Sequence, residues 1–184
     1  PCYGRSYPTR RYHIIPFTHT NTIDIYYLQS FAKKGKKPMK YQPYERTTNY
    51  YETDQMAIIH HSNYIRYMEE ARIDYLNQMG LPYKYIEEQG ILIPVLSVSC
   101  EYRSSVRFGD TISVYVSTVR FNGIKLDLSY EIRDKKSNEL RALGTSSHCF
   151  LDKSFHPIRL KKMYPDLYAD LMKSLPQPDN DQTP

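Results

Sequence analysis

The 184-residue chain has no Trp, three cysteines, seven glycines and no long apolar run, and each shortage removes a class of protein. Cys2, Cys100 and Cys149 cannot all pair within one chain, and their spacing matches neither a zinc site nor a thioredoxin-like motif. A reducing compartment, and with it a cytoplasmic location, is expected. Seven Gly and twelve Pro are close to average usage, which excludes collagen-like and low-complexity proteins. The longest apolar stretch, Ile91 to Leu96, is far short of the ~20 residues that cross a bilayer, so no transmembrane helix is expected. With 40% hydrophobic and 24% charged residues, the chain fits one soluble globular domain with short appendages.

Charge is unevenly spread. Residues 1–38 hold seven Lys/Arg against one acid, whereas the remaining 146 residues hold 18 against 19. The formal net charge of +5 therefore belongs to the N-terminal stretch, and the body is not a basic nucleic-acid binder by composition. Residues 1–38 show no sustained period and end in Lys33-Lys34-Gly35-Lys36-Lys37-Pro38. They are expected outside the fold, as sequence upstream of a start at Met39, as a basic extension, or as an Arg-rich targeting peptide. The domain itself is expected over residues 39–160. Residues 161–184 then read as a C-terminal amphipathic helix from Pro165 to Leu175 and a polar tail.

Within the body, Tyr44 to Tyr51 is β-compatible and predicts a first strand. Ile65, Met68, Ala71, Tyr75, Leu76 and Met79 recur at spacings of three and four and predict a long helix, with Ser62 or Asn63 as cap and Gly80 and Pro82 as stop. A helical turn around Tyr83 to Glu88 follows. The period then becomes two: strands are predicted over Ile93 to Arg103, Ile112 to Thr118, Leu126 to Ile132 and Leu140 to Leu151. The turns between the last three fall at Asn122-Gly123 and Lys135 to Asn138. Strand, helix, then four short-linked strands suggests an α+β layer in which an antiparallel sheet wraps one helix.

Between the first strand and the helix, residues 51–64 place Asp54, His60 and His61 beside a helix N-terminus. Unpaired N–H groups and a positive partial charge there suit an oxyanion formed when a carbonyl is attacked. Asp54 could attack as a nucleophile, activate water as a base, or simply close an Asx turn.

Tyr51-Glu52-Thr53-Asp54-Gln55-Met56, followed by Ile58-Ile59-His60-His61-Ser62-Asn63-Tyr64-Ile65-Arg66-Tyr67-Met68-Glu69-Glu70-Ala71-Arg72, resembles the signature of hotdog-fold acyl-CoA thioesterases of the 4-hydroxybenzoyl-CoA thioesterase, or YbgC-like, type. The similarity continues through Gly80-Leu81-Pro82 and Arg107-Phe108-Gly109-Asp110 to about Leu160. The resemblance implies a hotdog fold, hydrolysis of an acyl-CoA to a free acid and CoA-SH, and no metal or redox cofactor, coenzyme A being part of the substrate. It places Asp54 at the catalytic carboxylate position and the His61 N–H at the thioester carbonyl, with the His61 side chain helping to position the reactants. His60 and Asn63 are candidates for substrate binding or, respectively, for loop support and helix capping, and Tyr51 matches the motif as a packing residue. An acyl pocket lined by central-helix positions such as Tyr64, Tyr67 and Met68 is implied, in a homodimer or dimer of dimers whose sheets join. Glu69 and Glu70 are reserve general bases, because another hotdog branch carries its carboxylate on the central helix; Glu69 and Arg72 also have the spacing of a surface pair. Many relatives have Gly where this chain has Ala57, so either the loop differs or the position does not need a positive φ.

Other features carry less. Cys149 and His148 are strand neighbours facing opposite ways, so a packed thiol is expected rather than a nucleophile pair. Nineteen Tyr come without an RNA-binding aromatic motif. Arg103, Arg107, Lys135 and Lys136 are candidates for the CoA phosphates. The alternative function is a hotdog acyl-CoA sensor or carrier that does not turn over, and a dehydratase acting on carrier-protein thioesters is a third.

Overall fold

A computed structural model describes residues 41–175. The segment 1–38 and the tail beginning at Pro176, both expected outside the fold, lie outside the described residues. The alternating stretches form five strands: β1 (Tyr44–Thr47), β2 (Val95–Tyr102), β3 (Thr111–Phe121), β4 (Lys125–Asp134) and β5 (Leu140–Cys149). They make one antiparallel sheet in the order β1-β3-β4-β5-β2. A 3-10 turn (Tyr50–Glu52), the long helix α1 (Ser62–Gln78) and the short α2 (Tyr83–Glu88) separate β1 from β2; α3 (Leu160–Met163) and α4 (Pro165–Lys173) follow β5. This is the expected α+β hotdog arrangement, with α1 packed on one face of the sheet.

Alternation decides which face that is. Even-numbered residues of the central strands point inward, and Ile112, Val114, Val116, Leu126, Leu128, Tyr130, Ile132 and Ala142 are all buried. Against them α1 lays a stripe of Tyr64, Tyr67, Met68, Ala71, Tyr75 and Leu76. Each of the large aliphatic side chains among them, such as Leu76, Met68 or Ile112, contributes about 1.5–3 kcal/mol when removed from water. Ile65, expected in this stripe, lies at its rim and is 37% exposed, because two tyrosines carry the start of the face instead. Gly144 makes the close approach possible: a Cβ there would lie 2.2 Å from Met68 Sδ. At the far end Gly80 takes φ +80°, and the Leu81 and Gly80 N–H groups bond the Leu76 and Asn77 carbonyls at 2.9 and 3.0 Å, which stops the helix as expected.

Besides shifts of one to three residues at the ends of β2, β3, β4 and the last helix, three boundaries differ from expectation for reasons the contacts show. The first strand ends at Thr47, not Tyr51, because the Glu52 carboxylate reaches back to the Asn49 N–H at 2.6 Å and closes a 3-10 turn. Neither Ser62 nor Asn63 caps α1 by its side chain: His61 is the N-cap residue, and Asn63 Nδ2 donates instead to the Glu52 carbonyl at 2.9 Å. The last strand stops at Cys149, and Leu151 forms single bridges to Leu92 and Pro157. The C-terminal helix runs Pro165–Lys173, buries Leu171, and is tied down through Ser174 Oγ to Thr118 Oγ1 at 2.8 Å, which meets Tyr75 Oη at 3.1 Å. No helix among the described residues is long and apolar enough to cross a membrane.

His148 is 1% exposed on the inward face, with Nε2 2.7 Å from Ser146 Oγ, which in turn lies 2.8 Å from Tyr130 Oη. Burial and the nearby Arg72 charge hold the imidazole down to about 4. A histidine whose folded value lies below its unfolded one adds stability above about pH 6.5 and loses it as pH falls toward 4. The thermal midpoint is therefore expected to drop between pH 7 and 5, by a free energy on the order of 1–2 kcal/mol. His148→Gln is expected to flatten that slope in a melting series, while an unchanged slope would assign it to other groups.

Candidate active site

The segment joining β1 to α1 is a tight loop built on backbone hydrogen bonds. Thr53 and Ile59 form a bridge, the Asp54 N–H bonds the Ile58 carbonyl at 2.9 Å, and the Ala57 N–H bonds the Asp54 carbonyl at 3.0 Å. Closing this turn sends Ala57 to φ +59°, so the position does need a positive φ, and this chain meets it with an alanine. A left-handed alanine costs on the order of 1 kcal/mol relative to glycine. Ala57→Gly is therefore expected to keep the loop and raise the thermal midpoint by a few degrees, less the entropy that glycine adds to the unfolded chain. A lower midpoint would show that the alanine methyl makes contacts that outweigh the strain.

Asp54 lies at the head of this turn, half-buried, with Oδ1 accepting the Met56 N–H at 2.8 Å. Asp54 thus closes an Asx turn, and no other side-chain hydrogen bond to its carboxylate occurs among the described residues. The loop is anchored by Ile59 N–H to the Val106 carbonyl at 2.8 Å and by His60 N–H to the Glu52 carbonyl at 2.8 Å. His60 then turns its ring over the helix start, with Nδ1 2.8 Å from Ser62 Oγ and 3.3 Å from the Ser62 N–H. The exposed His61 ring lies 4.0 Å from that of His60. Among the described residues the His61 N–H donates to no backbone group.

Tyr102, on β2, was not among the residues that sequence reasoning selected. Its phenol donates to the His61 carbonyl at 3.1 Å, and its ring meets Tyr64 edge-on at 5.0 Å. Burial and the neighbouring Cys100 push the phenol up to about 12, so it remains a donor at neutral pH. The only sequence signal for it was an inward register position at the end of a strand. Of the expected pocket residues, Tyr64, Tyr67 and Met68 are all buried within the single chain, at 3%, 0% and 2% exposure.

The two helix carboxylates differ sharply. Glu70 accepts from Arg46 Nη1 at 2.7 and 2.6 Å and from the Tyr44 phenol at 2.9 Å. Glu69 is 62% exposed, with one oxygen 3.7 Å from Arg72 Nη2. Among the basic candidates, Arg103 pairs with Glu101 and Lys135 with Glu45, while the Arg107 N–H is held by Asp110 Oδ2 at 2.8 Å. Arg46 and Glu52, also absent from the sequence-based set, form an ion pair directly beneath the loop.

The family model for the Thioesterase-like superfamily matches residues 49–171, which include the loop, α1, strands β2 to β5 and most of α4. YneP of Bacillus subtilis (strain 168), provisionally named an acyl-CoA thioesterase, is 35% identical over 131 residues, covering 71% of this chain and 94% of its own length. A solved DHNA-CoA thioesterase from Staphylococcus aureus superposes with a TM-score of 0.69 at 31% identity, over 72% of this chain and 89% of that one. A 1,4-dihydroxy-2-naphthoyl-CoA thioesterase from Synechocystis shares the fold, with a TM-score of 0.62 at 20% identity over 71% and 97% of the two chains. The strand order and the long helix on the sheet thus accord with an independent match along two thirds of the sequence: the chain belongs to the Thioesterase-like superfamily, as a hotdog-fold thioesterase of the 4-hydroxybenzoyl-CoA thioesterase and YbgC-like kind.

Proposed function

We propose that the protein hydrolyses acyl-CoA or aryl-CoA thioesters to the free acid and CoA-SH, with Asp54 as the reacting carboxylate and the His61 N–H as oxyanion donor. The observation that carries this reading is the loop itself. It presents a carboxylate with only one oxygen engaged, next along the chain to a helix N-terminus whose leading N–H has no backbone partner among the described residues. As a base, Asp54 takes a proton from water while the hydroxide oxygen adds to the thioester carbon. Negative charge gathers on the carbonyl oxygen, where the His61 N–H and the helix dipole stabilise it. The C–S bond then breaks, and the proton passes to the departing thiolate. As a nucleophile, Asp54 would form a mixed anhydride that water opens to the same products. Tyr102 steadies the His61 peptide, and His60 the first turn. The acyl-CoA and DHNA-CoA assignments of the relatives support a CoA thioester as the substrate class.

In this reading Glu70 is a structural anchor, since Arg46 Nη1 and the Tyr44 hydroxyl already occupy both of its oxygens. Tyr64, Tyr67 and Met68 back the acyl pocket from within the core. The second half of the site comes from another copy of the chain. The outer edge of β2 has no strand beside it among the described residues, and its inward-facing Val98 and Tyr102 remain 43% and 49% exposed. Pairing two such edges continues both the hydrogen-bond ladder and the apolar face, giving a homodimer with the Tyr102–His61 contact close to the seam. Free Cys100 and Cys149 accord with a reducing, cytoplasmic setting. Product analysis tests the reaction: aromatic and aliphatic CoA thioesters are expected to yield acid and CoA thiol in equal amounts, and an acyl group transferred elsewhere would contradict hydrolysis.

A further inference from the structure

Glu52 belongs to the motif around Asp54 but has no part in the chemistry just described, and it is 3% exposed. Its carboxylate accepts the Asn49 N–H at 2.6 Å and pairs with the Arg46 guanidinium. Its carbonyl accepts two more bonds, from the His60 N–H at 2.8 Å and from Asn63 Nδ2 at 2.9 Å. One residue therefore binds β1, the 3-10 turn, the return of the loop and the first turn of α1. Arg46 extends the link: the same guanidinium holds Glu70 on α1 and lies 4.8 Å above the Tyr67 ring. Burial pulls against its charge, but Glu70 and Glu52 outweigh burial and hold it protonated more firmly than a free arginine.

An apolar set of similar volume would join β1 to α1 without taking charges out of water. Arg46 Nε is moreover buried with no hydrogen-bond partner among the described residues, so the cluster is not arranged for stability alone. What charged, forked contacts supply is fixed distance and direction. The groups they fix are the flanks of Asp54, two residues beyond Glu52, and of His61, one beyond His60. We infer that the Arg46–Glu52 pair is a positioning device that holds the Asp54 carboxylate and the His61 N–H at their working separation. Displacements of about 1 Å in such a pair can cost on the order of 100-fold in rate. This inference rests on the hydrolase reading above, and its test reads turnover and loop order separately.

In the full-length protein, Glu52→Gln removes the charge in nearly the same volume, and Arg46→Lys keeps a charge but loses the fork that spans both carboxylates. Both are expected to lower kcat about 10- to 100-fold on a CoA thioester that wild type hydrolyses, with KM within about threefold. Amide exchange at Asp54, Ala57, Ile59 and His60 is expected to quicken about tenfold or more, while β3 and β4 amides keep wild-type rates. Arg46→Lys decides the matter by the same two readings if Glu52→Gln does not fold. Either folded variant with kcat and loop exchange both within about twofold of wild type would overturn the inference. A wild type that binds CoA thioesters and releases no thiol would overturn the hydrolase reading alone, and loop exchange in the variants would still decide whether the pair orders the loop.

Discussion

Asp54→Asn is expected to lower kcat by about 100- to 10,000-fold while leaving the thermal midpoint within a few degrees of wild type. Asparagine keeps the side-chain oxygen that receives the Met56 N–H at 2.8 Å, so the turn survives. What it cannot do is take a proton from water or attack a carbonyl. Asp54→Ala separates the two roles further: it should lose the same activity and, in addition, about 1 kcal/mol of stability through the missing turn bond. Because Asp54 is only half-buried, neither change strands a charge in the core. Turnover that survived in Asp54→Asn would move the chemistry to Glu69, the helix carboxylate that faces solvent.

The second large effect is expected at the sheet edge. Val98 lies on the inward face of β2 opposite Ser146 and is 43% exposed in the single chain, so it would be covered when a second β2 pairs alongside. Val98→Lys puts a charge into that seam, a device by which natural edge strands avoid pairing. Sedimentation at micromolar concentration is expected to show a dimer or larger assembly for wild type and a monomer for the variant. Turnover is expected to fall by roughly 100-fold, since Tyr102, which steadies the His61 peptide, lies on the same strand. A wild-type monomer with full activity would contradict the shared site.

Most of the architecture was legible because it rests on local signals. The four later strands follow their alternation, α1 follows its three-and-four spacing, and Gly80 ends it where expected. The errors arose where a distant partner decides a local question. β-compatible residues from Tyr44 predicted a strand to Tyr51, but Glu52 folds back on Asn49 to close a turn. Asn63 had the chemistry of a helix cap, yet the Glu52 carbonyl eleven residues earlier takes its amide. Tyr102 reaches His61 across 41 residues, and Arg46 meets Glu70 across 24, so neither contact leaves a trace in local periodicity. Ala57 shows the reverse. Its residue type suggested an ordinary backbone, whereas the hydrogen bonds of the turn impose a positive φ on it.

These contacts converge on one claim, that the loop from Glu52 to His61 is built to hydrolyse a CoA thioester. The most direct test is thiol release by the full-length protein from a panel of short, long, branched and aromatic acyl-CoAs. Catalytic release from at least one member, lost in Asp54→Asn, is the expected result and would also identify the acyl class. Tight binding of acyl-CoA with no release from any member would contradict it and make the protein an acyl-CoA sensor or carrier on a hotdog scaffold.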